Sequence, residues 1–142
     1  MPAVIVLHAK PATLPSYGLA EGPVWDGIRK RVIWVDLNAG RVHFGELSGD
    51  QIIPGEFLTF TETVGAVVCS PAGELLVAGS RALKTVAVDG AVRSGPGVLP
   101  AGKVSRLNDG GCDPAGRFLV GSLALDDRER DEVLVRIESS GQ

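Results

Sequence analysis

The sequence predicts an all-β fold, a partial β-propeller of about three four-stranded blades, and three observations carry that reading. The stretch from Gly65 to Ala78 recurs 43 residues later from Asn108 to Gly121, with Cys69 and Cys112, the two Pro-Ala-Gly triplets and a Leu-Val pair in register. A looser copy lies upstream, where Glu21-Gly22-Pro23-Val24-Trp25-Asp26-Gly27 is followed by the apolar run Arg31-Val32-Ile33-Trp34-Val35-Asp36. From Glu21 onward no apolar run keeps the 3.6-residue period of a helix. Instead, short runs rich in Val, Ile, Leu and Trp alternate with Gly, Pro, Asp and Asn clusters.

Taken in order, residues 1–10 hold one apolar run, Val4-Ile5-Val6-Leu7, which reads as a lone strand before Pro11 and Pro15 interrupt regular structure. Blade one is expected over about 17–60, blade two over about 61–103 and blade three over about 104–142. In each repeat a strand such as Gly65 to Cys69 enters a tight turn, Ser70-Pro71-Ala72-Gly73, and returns as Glu74 to Ala78. Asp or Ser at the first turn position accepts a backbone hydrogen bond, Pro presets φ at the second, and Gly tolerates positive φ at the last. Further strands follow, Arg41-Val42-His43-Phe44 in the first repeat and Thr85-Val86-Ala87-Val88 in the second, the latter closing through an Asp89-Gly90 turn. Residues 93–104 are too rich in Gly and Pro to promise a ladder and read as the crossing into blade three, which ends through Val133 to Ile137. Propellers close with about 4–8 blades, so three blades imply a fragment or closure by association.

Composition excludes several classes. The net charge of −3 gives no basic field for nucleic acid or an anionic membrane. Val4 to Leu7 lacks a basic flank and falls far short of a span of about 20 residues, so a cytoplasmic location with no membrane contact is expected. Cys69 and Cys112 occupy the same phase of two strands and read as small buried hydrophobes without metal-ligand spacing. Trp25 and Trp34 read as core residues, His8 and His43 as structural or surface ones, and Asp126 to Glu132 as a solvated charged loop between strands. No Gly-x-Ser-x-Gly elbow, P-loop or Gly-x-Gly-x-x-Gly motif is present.

Repeat phase locates a site. Four residues before Trp25, Cys69 and Cys112 stand Glu21, Gly65 and Asn108, which therefore enter the first strand of each blade at equivalent places, near a propeller axis. Two of the three carry oxygen donors, with Gly between them to leave room; such a set suits a divalent cation, Ca, Mg, Zn or Mn. Arg106 is two residues from Asn108, on the same face of an extended strand, where it can meet an anionic or hydroxylated ligand. The residues alone leave the plainer reading open: Asn108-Asp109-Gly110 as a turn, Glu21 as a solvated carboxylate and Arg106 as a surface charge.

The motifs Ala20-Glu21-Gly22-Pro23-Val24-Trp25-Asp26, Ile33-Trp34-Val35-Asp36 with Gly40-Arg41-Val42-His43, and Arg106-Leu107-Asn108-Asp109-Gly110 followed by Asp113 to Phe118 and Gly121-Ser122-Leu123, resemble the gluconolactonase/regucalcin (senescence marker protein) family. The resemblance implies a six-bladed propeller that binds one divalent metal at its axis and hydrolyses sugar lactones. It implies Glu21 as the first metal ligand and Arg106, Asn108 and Asp126 as substrate-binding residues, with the Ala-Leu-Asp-Asp before and around Asp126 departing from the pattern. The family's remaining ligands, including the Asp proposed as general base, belong to later blades, so this chain is expected to be the N-terminal half, without a catalytic residue of its own. The resemblance also implies that Val4 to Leu7 completes the last blade. A reading of a different class is a non-catalytic propeller or half-propeller that binds a cation or a protein partner, and a homodimer through the open blade faces is a further way to close the ring.

Overall fold

Strands pair wherever the repeat grammar puts apolar runs between turns, and the computed structural model, which describes residues 4–126 and 131–138, arranges them in three antiparallel sheets. Sheet one holds β1 (Ala20–Asp26), β2 (Arg31–Asp36), β3 (Arg41–Ser48) and β4 (Gln51–Thr59) in that order. Sheet two holds β5 (Ala66–Cys69), β6 (Leu75–Ala78), β7 (Ala82–Val86) and β8 (Val92–Gly97), again in chain order. Sheet three holds β9 (Ser105–Cys112), β10 (Phe118–Ala124) and β11 (Leu134–Ile137) among the described residues. The all-β, propeller-type architecture is the one read from the repeats.

The turn chemistry is built as the residue types require. Gly73 donates to the Ser70 carbonyl at 3.0 Å and Gly116 to the Asp113 carbonyl at 2.9 Å, with φ of 101° and 78° at the two glycines. Asp113 Oδ1 also accepts the backbone N–H of Ala115 and Arg117. Hydrogen bonds and the guanidinium of Arg117 hold its carboxyl below the usual aspartate range.

Alternation along the strands sorts side chains between two seams. Ile33 and Phe44 are paired across β2 and β3, as are Val35 and Val42; all four pack with Val67, Leu75, Val77 and Val86 of sheet two. The opposite face of sheet two, with Ala66, Ala78 and Leu83, packs with Leu107, Phe118 and Val120 of sheet three. The innermost strands β1, β5 and β9 touch one another, so the sheets fan out from a common edge.

Val4 to Leu7, expected to complete a blade outside this chain, form no ladder within it, and their side chains are exposed. Three expectations change. Residues 93–97, expected as part of the crossing, continue with Val92 as β8, where Val92, Arg93 and Ser94 pair with Val86, Thr85 and Lys84. Pro96 is tolerated because β8 is an edge strand, whose outward N–H positions need no partner. Trp25 is 51% exposed, and Cys112 is exposed while Cys69 is half-buried against the first seam. Both thiols are free, and burial pushes each up from its ordinary value.

Residues 11–19 run over the second face of sheet one. Ile52 donates to the Ala12 carbonyl at 2.6 Å, and the N–H groups of Gly18 and Leu19 each reach an Asp36 carboxylate oxygen at 3.0 Å. This places Tyr17 edge-on to Trp34 and His43, whose rings are stacked at 5.4 Å. Burial opposes ionisation of Asp36, but the N–H groups of Gly18, Leu19 and Ala39 hold its carboxyl below the usual range.

Candidate metal and substrate site

The inner strands β1 and β9 both lose regular register at the places that repeat phase singles out. On β1, Glu21 pairs with Val35 and Val24 with Ile33, so Gly22 and Pro23 stand against one residue of β2. On β9, Leu107 pairs with Ser122 and Gly110 with Val120, so Asn108 and Asp109 stand against Gly121. An extra residue on one strand is a bulge, which breaks side-chain alternation and re-aims the residues beside it. Gly22 meets the demand of its bulge with φ of 56°, a conformation a side chain resists.

These bulges adjoin. The carboxylate Oδ1 of Asp109 lies 3.8 Å from where a Cβ on Gly22 would stand. Gly65 is held against β9: a Cβ there would lie 2.3 Å from the Asn108 carbonyl oxygen and 2.8 Å from that of Leu107. The room that glycine leaves is therefore filled by the β9 backbone rather than kept for a ligand. Gly65 is needed for the close approach of blades two and three.

Glu21 is half-buried and borders a small cavity of about 180 Å³ with Tyr17, Val32, Trp34 and Ile52. Among the described residues its carboxylate makes no hydrogen bond or ion pair. Arg106 donates through Nη1 to Asn108 Oδ1 at 2.8 Å and to the Leu107 carbonyl at 3.1 Å. The face-sharing expected of these two side chains is thus a direct contact. Asn108 and Asp109 also line an open depression of about 530 Å³ with Gly110, Gly111, Gly121, Ser122 and Leu134.

Asp126 is exposed just beyond the end of β10. Leu125 donates to the Val104 carbonyl at 3.0 Å, and Leu123 pairs with Arg106, so Asp126 leaves the sheet at the end where Arg106 enters it. Residues 127–130 of the charged loop lie outside the described residues. On its far side, Lys103 forms ion pairs with Asp131 at 3.0 Å and Glu132 at 3.5 Å, and Ser105 Oγ donates to Glu132 at 2.7 Å. His43 is buried in its aromatic cluster, away from any such role. Burial depresses its imidazole, Arg41 adds to that and Asp36 opposes it.

Among the described residues, no three His, Cys, Asp or Glu side chains converge as a complete metal shell. The donor chemistry fits a share of one in Glu21, a half-buried carboxylate without a protein partner among the described residues, while Asp109 on the neighbouring inner strand is exposed and approaches Gly22. Sequence reasoning passed over Asp109, because the bulge that re-aims it depends on how β10 pairs, which no local pattern in β9 encodes. No helix among the described residues is long and apolar enough to cross a membrane.

The chain is 34% identical over 109 residues to pentonolactonase XacC of Haloferax volcanii, an alignment covering 76% of this chain and 35% of that protein. It is 31% identical over 110 residues to regucalcin of Danio rerio, covering 76% of this chain and 36% of the relative. The fold matches a luciferin-regenerating enzyme with a TM-score of 0.78 at 24% identity, over 91% of this chain and 45% of that one. It also matches a regucalcin from Agrobacterium tumefaciens, described as calcium-binding, with a TM-score of 0.73 at 17% identity, over 85% and 40%. The chain spans 35% and 36% of the length of these two curated relatives. The SMP-30/gluconolactonase/LRE-like family model matches residues 19–142, and the chain belongs to that family.

Proposed function

We propose that this chain is the N-terminal part of a metal-dependent sugar-lactone hydrolase, supplying one cation ligand and part of the substrate pocket. The observation that carries the reading is the pair of bulges that brings Glu21-Gly22 beside Asn108-Asp109, within a chain that belongs to a lactonase-containing family. Glu21 would hold a divalent cation, Ca, Zn, Mn or Mg, through its unpartnered carboxylate. Such a cation, when bound, polarises a carbonyl as a Lewis acid. Arg106 and Asn108 already form one hydrogen-bonded unit, leaving guanidinium N–H groups and the Asn108 amide N–H₂ to orient the hydroxyls and ring oxygen of a lactone. Asp126, at the same end of sheet three, adds an acceptor for a sugar hydroxyl. No residue of this chain is assigned as the general base. Residues 17–60, 61–103 and 104–142 serve in this proposal as three consecutive blades, with residues 1–10 reserved for the last blade of the closed ring.

The test is hydrolysis of aldonolactones by the 142-residue chain with each of the four cations, beside Glu21→Ala. Cation-stimulated hydrolysis that disappears in Glu21→Ala supports the proposal. Hydrolysis indifferent to Glu21→Ala refutes the ligand assignment. Absence of hydrolysis with every cation removes the catalytic reading for this chain. Should cation binding then persist, the non-catalytic binding module is the better description. Light scattering decides whether a second copy covers the open faces; a stable monomer rules that closure out.

A further inference from the structure

We infer that residues 11–19 are a pH-sensitive strap: protonation of His43 beneath them releases the strap from sheet one and uncovers the cavity it roofs. Residues 11–19 belong to no strand and are held across the sheet at two ends. At the first, Ile52 donates to the Ala12 carbonyl at 2.6 Å and Gln51 Nε2 to that of Pro11 at 3.2 Å. At the second, the N–H groups of Gly18 and Leu19 meet the two oxygens of Asp36, and Leu37 donates back to the Leu19 carbonyl at 2.9 Å. Beside that end the Tyr17 ring presses down on Trp34 and His43, with centroids 5.7 and 5.1 Å away. Thr13 and Tyr17 form the strap side of the cavity of about 180 Å³; Glu21, Val32, Trp34 and Ile52 form its sheet side. Whether or not Glu21 binds a cation, lifting the strap opens that cavity.

His43 is housed as a neutral ring. It is 7% exposed, and among the described residues neither its Nε2 nor the Tyr17 hydroxyl has a hydrogen-bond partner. Rings enclose it: Trp34 stacked at 5.4 Å, Phe57 of β4 at 5.3 Å and Tyr17 of the strap. The charges that act on it are Asp36 of β2, which favours the imidazolium, and Arg41 of its own strand, which opposes it and lies over the Phe57 ring at 4.6 Å. On β4, Glu56 is drawn toward Arg31 at 3.9 Å; on β1, Glu21 borders the cavity beyond Tyr17 and Trp34. The strap itself carries no Asp, Glu, Lys, Arg or His. An imidazolium at this place needs either water or the Asp36 carboxylate to compensate its charge. Water enters by lifting Tyr17, and Asp36 turns to His43 by giving up Gly18 and Leu19, so both routes loosen the strap. Asp36 stays ionised throughout, because the amides it accepts from hold its carboxyl below the usual range.

Hydrogen exchange on the full 142-residue chain at pH 7.5 and pH 5.5, corrected for the intrinsic rate at each pH, tests the strap directly. The reporters are the amides of Gly18, Leu19 and Ile52; that of Val64, bonded to the Leu37 carbonyl beside the first seam, is the control. Protection of the three strap amides should fall about tenfold, the change set by one group that titrates near 6.5 when uncovered and stays neutral when covered, while that of Val64 holds. The fall should vanish in His43→Phe and in His43→Gln, neither of which takes up a proton there, each checked by far-ultraviolet circular dichroism. In a Trp25→Phe background, acrylamide quenching of Trp34, 5% exposed, should rise over the same interval. A fall below about threefold in the unsubstituted chain, an equal fall in either folded His43 variant, a parallel loss at Val64, or unchanged quenching of Trp34 overturns the inference.

Discussion

The two seams between the sheets are made in different ways. Between sheets one and two, Ile33, Val35, Val42, Val64, Val67 and Val77 are almost wholly inaccessible, and Phe44, Phe60, Leu75 and Val86 close around them. Between sheets two and three the facing strands carry Ala66 and Ala78, so less apolar volume is available and polar clamps join the packing. Arg81 donates through Nη1 to the carbonyls of Lys103 at 2.7 Å and Ser105 at 3.0 Å, and through Nη2 to that of Pro100. Leu107 donates to the Ser80 carbonyl at 2.7 Å. The seam that carries Arg106, Asn108 and Asp109 is thus positioned by directed hydrogen bonds, which fix geometry, where the first seam relies on area, which mainly supplies stability.

Deleting apolar volume from the first seam should have the largest effect. Ile33→Ala is expected to cost about 2–5 kcal/mol, read as a lower urea midpoint with an unchanged slope. A loss below about 1 kcal/mol would mean that the blades close over the void and that the first seam is less tightly packed than its burial implies.

The second seam should respond next, through its clamp. Arg81→Ala removes charge-assisted hydrogen bonds and leaves carbonyls near the β8–β9 connection without their donor, for an expected loss of about 1.5–3 kcal/mol. Arg81→Lys should recover only part, since one ammonium cannot reproduce the fork that spans three carbonyls. Hydrogen exchange sharpens the comparison. The amides of Leu99 and Leu107, bonded to the Arg81 and Ser80 carbonyls, should exchange faster in Arg81→Ala while that of Val64 does not. Equal acceleration at all three would show that the seams open as one unit.

What could be read from the sequence divides along similar lines. The Ser70 to Gly73 and Asp113 to Gly116 turns were legible because their chemistry is local: each residue type is required by a dihedral or a hydrogen bond within four positions. The apolar faces were legible because strand alternation is local too. Features set by a partner strand were not. Cys69 and Cys112 share a phase, yet Cys69 packs against the first seam while Cys112, the last residue of β9, ends exposed. Trp25, expected in the core, is exposed on β1. Pro96 hides an edge strand that only its pairing with β7 reveals. Within the candidate site, Glu21 and Asn108 followed from repeat phase, whereas Asp109 emerged from register, since a bulge is a property of two strands counted against each other.

The smallest expected effects are in pH dependence, and they separate the outer face of sheet one from the top of sheet two. Burial raises the cost of charging Glu62, but hydrogen bonds from Lys84 and Ser80, with Lys84 at 2.7 Å, outweigh it and hold the carboxyl below its ordinary value of 4.5. A depressed carboxyl stabilises the fold above its unfolded value, and this contribution is lost as pH falls through the folded one. His43 is depressed below 6.5, chiefly by burial, and its Nε2 has no hydrogen-bond partner. The unfolded chain therefore takes up a proton there first, and the stability that neutral His43 permits is present above pH 6.5 and declines below it. Two windows follow. His43→Phe, which keeps a ring against Trp34, should flatten the stability profile just below pH 6.5 and leave the more acidic limb intact, whereas Glu62→Gln should flatten only the limb below 4.5. Urea midpoints measured from pH 8 to pH 3 distinguish the two, and a His43→Phe profile that still falls between pH 6.5 and 5 would place that titration elsewhere than beneath the strap of residues 11–19.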